Sequence, residues 1–370
     1  MLCGTFWSSS ILPFSQCCRK RNNSFYFSNA ETKIIKPLPH QPIYFVAEVF
    51  EQHLYNAGIV RMHQEEILKA AGCKPLVFKY SDKKTVFYKI ARIIQCCRIA
   101  LSLPKHSKVL FHFPVQAAVY SWLLTLLQLR GIGSVALIID IDGLRDNNNK
   151  LFEKEVQLLK KFSLLVAHNA AMKNILSLQL PSAKISCINI FDYPVKPVLR
   201  TVKMSNTVCF AGNLNKATFV NHLNEITAVR FNVYGPCPDV SLKDSDTIFY
   251  KGIVSPDKLP TELEGSFGLV WDGGLLDECD NYLRYNNPHK LSLYVTAGLP
   301  VIVWEQSAIA VFVKLYDIGF TINSIREIPE KMQQIRIERF DTMQQNALAI
   351  SKKTTVGYFL KSVIGELRQG

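Results

Sequence analysis

The stretch from Phe267 to Glu305 constrains the fold of this 370-residue chain more than any other part of it. Two short apolar runs without charge, at 267–271 and 301–304, flank a polar loop and a segment whose apolar residues have helical spacing. Gly298 is typical of a helix end, and Pro288 fits among the first helical residues because no N–H is needed there. The stretch therefore predicts a βαβ unit: a buried strand, a helix and a second buried strand.

The loop before that helix concentrates hydrogen-bond donors and positive charge. It contains Arg284, Tyr285, His289 and Lys290, together with a pair of asparagines. A helix N-terminus presents unpaired N–H groups and favours anions, above all a diphosphate. In open α/β sheets, ligands bind beyond the carboxyl ends of the strands, which is where this loop lies. We therefore expect an anion-binding site here.

Strand and helix patterns alternate through the rest of the chain, which predicts parallel sheets covered by helices on both faces. Prolines at 194 and 197 mark a crossover between two halves. We predict a disordered or non-native extension over 1–40, one Rossmann-like domain over 41–192, a second over 193–350 and a terminal helix over 351–370. In the first domain the predicted strands are 43–50, 75–80, 108–114, 135–142, 164–168 and 184–189, and the predicted helices are 54–71, 86–102, 116–130, 148–161 and 170–179.

The net charge of +13 calls for an anionic partner: a nucleic acid, an anionic membrane face or a phosphorylated substrate. The excess is uneven, because ten basic residues and one acid, Asp82, lie between Lys69 and Lys108. A helix in this region carries Phe87, Ile90, Ile94, Cys97 and Leu101 on one face. We favour the interpretation that this face packs on the sheet; contact with a membrane surface is the alternative.

The apolar run at 110–129 is long enough to span a bilayer. His112 and Pro114 lie within it, so we favour a strand, a turn and a buried helix. The ten cysteines form no C-x-x-C pair and no zinc-like spacing, which is typical of a reduced, cytoplasmic chain. The basic residues at 19–21 follow an apolar run instead of preceding it, which argues against a signal peptide.

Three strings in the carboxyl-terminal half resemble a known family: WDG at 271–273, YNNPHK at 285–290 and AGLPVIVW at 297–304. They are similar to bacterial glycosyltransferases of the glucosyltransferase 3 type, which glycosylate serine-rich adhesins, and to β-1,6-galactofuranosyltransferases of polysaccharide biosynthesis. The resemblance implies an α/β fold of the GT-B architecture, in which two Rossmann-like domains face an interdomain cleft. The first domain would hold the acceptor and the second the nucleotide-sugar, and the terminal helix would cross back onto the first domain.

The loop and the resemblance together imply a nucleotide-sugar site. Arg284 and Lys290 would stabilise the diphosphate leaving group, with help from Lys216, and aromatic rings would hold the nucleoside. Gly212 opens a glycine turn that suits phosphate oxygens. The expected binding residues are Asn56, Gly212, Lys216, Tyr250, Tyr282, Arg284, Tyr285, Asn286, Asn287 and Lys290.

Asp140 and Asp142 form a D-x-D string, which binds a divalent cation in another class of glycosyltransferase. A turn at the end of an apolar strand explains the string better than a metal does. One of these acids, or His53 or His168, is a candidate general base for an inverting transfer. Arg145 is close enough in sequence to pair with either acid.

We therefore expect a hexosyltransferase that moves galactofuranose or glucose from a UDP-sugar to a glycan or glycosylated protein. We expect a carbohydrate acceptor, and a lipid-linked acceptor at the inner face of the membrane is one option. A homo-oligomer is an option for the protein itself. We expect no metal ion and no cofactor, since the UDP-sugar is the donor substrate. The alternatives are a UDP-sugar epimerase of the same architecture, a binding module without turnover, and a basic nucleic-acid-binding protein. The last of these lacks a groove-reading helix, so we expect no nucleic-acid partner.

Overall fold

The computed structural model describes residues 41–49, 57–79, 86–115, 119–196, 198, 201–237 and 246–369. Asn56 and His53 lie outside the described residues, as does the extension over 1–40. The first half alternates strands with helices: β1 (Ile43–Val49), α1 (Ala57–Ala70), β2 (Lys74–Lys79), α2 (Val86–Ser102), β3 (Lys108–Phe113), α3 (Val119–Leu129), β4 (Gly133–Ile138), α4 (Asp142–Arg145), α5 (Asn149–Leu159), β5 (Leu164–Ala167), α6 (Ala170–Gln179) and β6 (Ile185–Cys187).

The second half repeats this alternation with shorter strands. Among the described residues, 3-10 helices also occur at Thr218–Glu225, Asn281–Arg284 and Ile325–Glu327. The remaining elements are β7 (Thr207–Ala211), β8 (Arg230–Tyr234), β9 (Ile248–Tyr250), α7 (Leu259–Glu262), β10 (Phe267–Val270), α8 (His289–Thr296), β11 (Val301–Trp304), α9 (Ile309–Tyr316), β12 (Gly319–Ile322), α10 (Ile328–Gln333), α11 (Ile337–Thr354) and α12 (Tyr358–Gln369).

The strands form two six-stranded sheets in the orders β2-β1-β3-β4-β5-β6 and β12-β11-β10-β7-β8-β9. Every pair of neighbouring strands is parallel, as the alternation predicts. Side chains alternate across the first sheet: Phe45 packs on the face shared with α1 and α12, and Val46 packs on the face covered by α2, α3, α5 and α6. The sequence prediction of two parallel α/β sheets is confirmed.

The central βαβ unit consists of β10, α8 and β11. Gly268 has no side chain, and a Cβ there would come within 2.2 Å of the Tyr294 ring, so the glycine lets α8 pack closely on the sheet. The Tyr294 hydroxyl accepts a hydrogen bond from the Ala211 N–H at 2.8 Å, which fixes the helix relative to β7. Gly298, at φ +73°, ends the unit's helix as predicted. Pro288 precedes the helix in an extended conformation instead of belonging to its first turn.

Some predicted boundaries are wrong. The strand predicted over 135–142 ends at Ile138, because the N–H groups of Ile139 and Asp140 both turn to the Phe113 carbonyl. Asp142 then begins the short helix α4, where the Glu155 carboxylate accepts the N–H groups of Asp142 and Gly143 at 2.9 and 2.8 Å.

The apolar face of α2 does not pack on the sheet, contrary to the favoured interpretation of the sequence. The buried side of this helix is formed by Arg92, Cys96 and Ala100. The Arg92 guanidinium lies over the Phe78 and Tyr120 rings, at 5.2 and 5.6 Å from their centroids. The small side chains of Cys96 and Ala100 let the helix approach the sheet, so the large apolar residues are left on the outer side.

Helix α12 returns to the first half of the chain. Asp192 accepts the N–H groups of Phe359 and Leu360 at 3.1 and 2.8 Å, which places a carboxylate at the N-terminus of this helix. At the other end, the Arg368 guanidinium donates to the Ala71 carbonyl at 2.5 Å. Among the described residues, no helix is both long enough and apolar enough to cross a bilayer.

Candidate functional site

A cleft of about 740 Å³ lies at the carboxyl edge of the second sheet, between that sheet and α1. One wall is apolar and includes Ile59 and Val60 of α1. The opposite wall is polar and comes from the loops after β7 and β10 and from the start of α8. The residues of the polar wall are Gly212, Asn213, Lys216, Asp272, Asn286, His289 and Lys290.

Two glycines let the loops after β7 and β8 meet at the cleft. Gly235 has φ +128°, and a Cβ there would lie 1.8 Å from the Gly212 carbonyl oxygen. A Cβ on Gly212 would come within 2.9 Å of the Lys290 side chain. The backbone of the glycine turn therefore lies directly against this lysine.

Lys290 lies in the first turn of α8 and reaches across the polar wall. Its ammonium group pairs with the Asp272 carboxylate and lies 5.1 Å from the centroid of the Phe210 ring. The side chain is mostly buried, with 18% exposed. A cation at a helix N-terminus beside a glycine turn is suited to a diphosphate.

Asn286 and Lys216 complete the polar wall. The Asn286 side-chain oxygen is buried and has no hydrogen-bond partner. Such an orphaned acceptor carries a desolvation cost that a donor on a bound ligand would relieve. Lys216 is exposed on the opposite loop. The structure thus brings together Gly212, Lys216, Asn286 and Lys290 as the sequence predicts.

The other five predicted binding residues that the structure describes do not line the cleft: Tyr250, Tyr282, Arg284, Tyr285 and Asn287. The Arg284 guanidinium lies 4.7 Å from the centroid of the Trp304 ring and donates to the Asn281 side chain at 3.1 Å. The Tyr250 hydroxyl donates to the Gly235 carbonyl at 3.0 Å, so this ring supports the loop that approaches Gly212. The backbone carbonyl of Tyr285 accepts from Asn169 at 3.0 Å.

Asn287 joins the two halves of the chain. Its amide nitrogen donates to the carbonyls of His168 and Asn189 at 2.9 and 2.7 Å, and its amide oxygen accepts from Asn169 at 2.8 Å. The backbone N–H of Asn287 donates to Nδ1 of His168 at 2.9 Å. The side-chain amide and the backbone N–H of this residue therefore hold the loop before α8 to the first sheet.

His168 is fully engaged in the same network. Nδ1 accepts a hydrogen bond from the Asn287 N–H, so the ring proton must be on Nε2. Nε2 donates this proton to the Ile138 carbonyl in a hydrogen bond of 3.1 Å. Burial lowers the pKa of His168 to about 4, so the ring stays neutral. Neither ring nitrogen is available to a substrate in this arrangement.

The Asp140 and Asp142 carboxylates lie at another contact between the halves. The Tyr282 hydroxyl donates to Asp140 at 2.7 Å and accepts the Ile141 N–H at 3.0 Å. Arg145 pairs with both acids, at 2.9 Å for Asp140 and 2.8 Å for Asp142. Burial raises the pKa of the Asp140 carboxyl, and the Tyr282 and Arg145 contacts oppose this rise. Neither acid lines the cleft, and the expected pairing with Arg145 is confirmed.

Sequence reasoning missed a group of rings beside the cleft. Nδ1 of His63, on α1, lies 3.2 Å from Nε2 of His289, and Tyr193 stacks on His289 with a centroid distance of 4.9 Å. Burial lowers the pKa of His63 to about 4 and that of His289 to about 3. Two neutral imidazoles, one from each half, therefore lie beside the cleft. His289 belongs to the YNNPHK string, but His63 has no sequence signal beyond its place on a helix.

Four buried or half-buried histidines predict that the protein loses stability in mild acid. The pKa values of His63, His112, His168 and His289 all lie at about 3 or 4, below the unfolded value of 6.5. Below pH 6.5 the unfolded chain binds protons that the folded chain does not. Each neutral histidine thus costs about 2 kcal/mol of folding free energy between pH 6.5 and 5.

Asp192 acts in the opposite direction, because burial raises its pKa to about 7 and the folded carboxyl then holds the proton. Four histidines outweigh this one acid. Denaturant titrations at pH 7.5, 6 and 5 should show a falling free energy of unfolding, and a His168→Gln variant should show a shallower fall. A free energy that stays constant over this range would contradict the assignment of neutral rings.

Within the described part of the chain, no group of three or more His, Cys, Asp or Glu side chains is arranged to hold a metal ion.

Two family models match the chain. Residues 43–187 match the N-terminal domain, and residues 208–367 the C-terminal domain, of glucosyltransferase 3-like proteins. The chain is 30% identical to a β-1,6-galactofuranosyltransferase, WbbI, from Escherichia coli K12, over 75% of this chain and 85% of that protein. It is 25% identical to glucosyltransferase 3 of Streptococcus gordonii, over 59% of this chain and 65% of that protein.

A solved structure with the same fold is the UDP-forming α,α-trehalose-phosphate synthase of Burkholderia vietnamiensis. The TM-score is 0.59 at 10% identity, and the match covers 89% of this chain and 100% of that one. At this identity the likeness shows the fold alone. Together with the two parallel sheets, it confirms the expected GT-B architecture.

Proposed function

Because the chain belongs to the glucosyltransferase 3-like family and is a glycosyltransferase of GT-B fold, we propose that it moves a hexosyl unit from a UDP-sugar to a glycan or glycosylated protein. Galactofuranose and glucose are the two donor sugars that the relatives' names support. The observation that carries the site assignment is the position of Lys290 at the head of α8, against the Gly212 turn.

In this proposal the diphosphate lies along the polar wall, between Lys290 and Lys216. The bond between the sugar's anomeric carbon and the β-phosphate oxygen breaks as the acceptor hydroxyl attacks that carbon. Negative charge then develops on the departing diphosphate, where the Lys290 ammonium and the α8 N-terminus stabilise it. Because Lys290 already pairs with Asp272, the phosphate would compete with this carboxylate.

The contacts of Asp140 and Asp142 favour another residue for the acceptor side of the reaction. Both acids are paired with Arg145 away from the cleft, and His168 uses both ring nitrogens. His289 lines the cleft as a neutral ring whose Nδ1 has no hydrogen-bond partner. The low pKa of each ring in the His63–His289 pair makes it a weak base, so we propose that this pair orients the acceptor hydroxyl by hydrogen bonding.

A reducing compartment suits the thiols. The seven cysteines that the structure describes form no disulfide, and burial raises the pKa of four of them, which makes these thiols poor nucleophiles. These four are Cys73, Cys96, Cys187 and Cys279. We propose that the protein acts in the cytoplasm.

Nucleotide binding in the presence of EDTA tests the proposal. UDP should raise the free energy of unfolding by about 2.7 kcal/mol at a concentration of 100 Kd, while GDP and CDP at equal concentration should raise it less. The shift should persist in EDTA, because lysine side chains and a helix N-terminus take the role of a metal. Equal responses to all three nucleotides would contradict the proposed specificity.

Incubating the UDP-sugar without an acceptor separates a transferase from an epimerase. A transferase should leave the donor intact or hydrolyse it slowly. Formation of an epimer would instead show that the protein inverts a carbon of the sugar ring and is an epimerase.

A further inference from the structure

The outer side of α2 is an exposed apolar face on a globular chain. Phe87, Ile90, Ile94 and Leu101, spaced three, four and seven residues apart, are 86%, 48%, 46% and 72% exposed. Large apolar side chains normally occur singly on a surface, and a continuous row of them marks an interaction site. This row is therefore the feature outside the cleft that calls for a partner.

Helix α3 extends the same surface. The Arg92 guanidinium donates to the Tyr120 hydroxyl at 3.3 Å, and Arg130, just after α3, donates to the Ala100 carbonyl. These contacts set α3 alongside α2 on one face of the first sheet, running in the same direction. Trp122, which is 63% exposed, and the exposed Leu129 of α3 thus lie level with the second half of α2.

The charge of this surface is entirely positive. No Asp or Glu occurs between Asp82 and Asp140, so neither helix contains an acidic residue. Arg98 lies on the exposed side of α2, and Lys89 is exposed near its first turn. Basic residues beside large apolar and tryptophan side chains are typical of helices that lie in a bilayer interface, where the apolar groups enter and the cations contact anionic headgroups.

We propose that the outer faces of α2 and α3 bind the surface of an anionic lipid bilayer. The acid-free charge selects anionic headgroups, and the apolar row and Trp122 supply the area that enters the acyl boundary. The first turn of α2 follows β2, so Phe87 lies toward the carboxyl edge of the first sheet. The inference rests on the surface alone and is independent of the proposed transfer reaction.

Vesicle binding tests the proposal with the full chain. Co-sedimentation with phosphatidylcholine vesicles containing phosphatidylglycerol should be strong at low salt, weaker at high salt, and weak with pure phosphatidylcholine. A Lys89→Ala/Arg98→Ala variant should lower the partition coefficient roughly 30-fold. Its matched control is Lys150→Ala/Lys154→Ala, which removes two exposed lysines from α5 and should bind nearly as the parent does.

The apolar contribution has its own pair of variants. Phe87→Ser/Leu101→Ser should lower vesicle binding by more than tenfold. The control is Val311→Ser/Leu315→Ser on α9, whose side chains are similarly exposed at 72% and 74%. Both pairs alter exposed residues, so circular dichroism should show that all four variants remain folded.

Tryptophan fluorescence locates the contact. Trp271 and Trp304 are buried, whereas Trp122 is exposed. Brominated lipids in the anionic vesicles should quench the protein, and a Trp122→Phe variant should still bind while losing most of this quenching. Absence of binding, equal binding to neutral vesicles, or a dimer that dissociates in the Phe87→Ser/Leu101→Ser variant without any vesicle binding would overturn the proposal.

Discussion

A Lys290→Ala variant should transfer sugar about 10²–10³-fold more slowly than the parent protein, with kcat more affected than the KM for the donor. The reason is that charge on the diphosphate grows as the glycosidic bond breaks, so a cation stabilises the transition state more than the ground state. Lys290 is the only lysine of the cleft lining that also belongs to α8, and it lies against the Gly212 turn. Initial-rate kinetics with UDP-galactofuranose and UDP-glucose would measure the effect.

Lys314→Ala is the matched control for this variant. Lys314 also pairs with a carboxylate, that of Glu305, but it lies on α9 away from the cleft. Its replacement should leave kcat unchanged, since an exposed ion pair contributes little to stability. If the Lys290→Ala variant is as active as the Lys314→Ala variant, the diphosphate does not bind at the polar wall.

The Arg284→Ala variant tests whether Arg284, the second cation that the sequence assigns to the diphosphate, stabilises the leaving group. The guanidinium lies over the Trp304 ring and outside the cleft lining, so we expect a loss of less than tenfold in kcat. A loss equal to that of Lys290→Ala would restore Arg284 to the leaving group and require the loop at 281–285 to move when the donor binds. The Arg284 role thus stays a prediction that kinetics can decide.

The fold was largely predictable because its signals are local. The apolar run at 267–271, the helical spacing after Pro288 and the glycine at 298 each report on a few neighbouring residues, and together they predict β10, α8 and β11. The same reasoning failed at α2, because a row of hydrophobic residues indicates that the helix is amphipathic but not which side of it packs on the sheet. Cys96 and Ala100 decide that question by their small size, and this depends on Phe78 and Tyr120 from elsewhere in the chain.

The site was predictable in part for a related reason. Gly212, Lys216, Asn286 and Lys290 follow from loop chemistry at strand ends, and the structure places all four on one cleft. Asp140 and Tyr282 are polar residues at strand or helix ends too, yet they bond to each other across the two halves at 2.7 Å. A sequence pattern places both kinds of residue at the same edge of a sheet. Only the three-dimensional arrangement separates residues that line the cleft from those that hold the two halves together.

The adjacent asparagines Asn286 and Asn287 provide the sharpest case, and their alanine variants should behave in opposite ways. In Asn287→Ala, the carbonyls of His168 and Asn189 and the amide of Asn169 each lose a buried partner. Each such loss costs about 1–3 kcal/mol, so we expect the free energy of unfolding to fall by about 3 kcal/mol or more. Urea titration followed by circular dichroism would measure it.

Asn286→Ala should leave stability unchanged or slightly raised, because the side-chain oxygen that it removes is buried without a partner. The same variant should weaken UDP-sugar binding by about tenfold, since a ligand donor to that oxygen is worth about 1.4 kcal/mol. Donor titration by calorimetry gives this value independently of turnover. If Asn286→Ala destabilises the fold as much as Asn287→Ala, the oxygen has a structural partner; if Asn287→Ala loses donor affinity while keeping its stability, the amide serves the nucleotide-sugar, as the sequence alone implied.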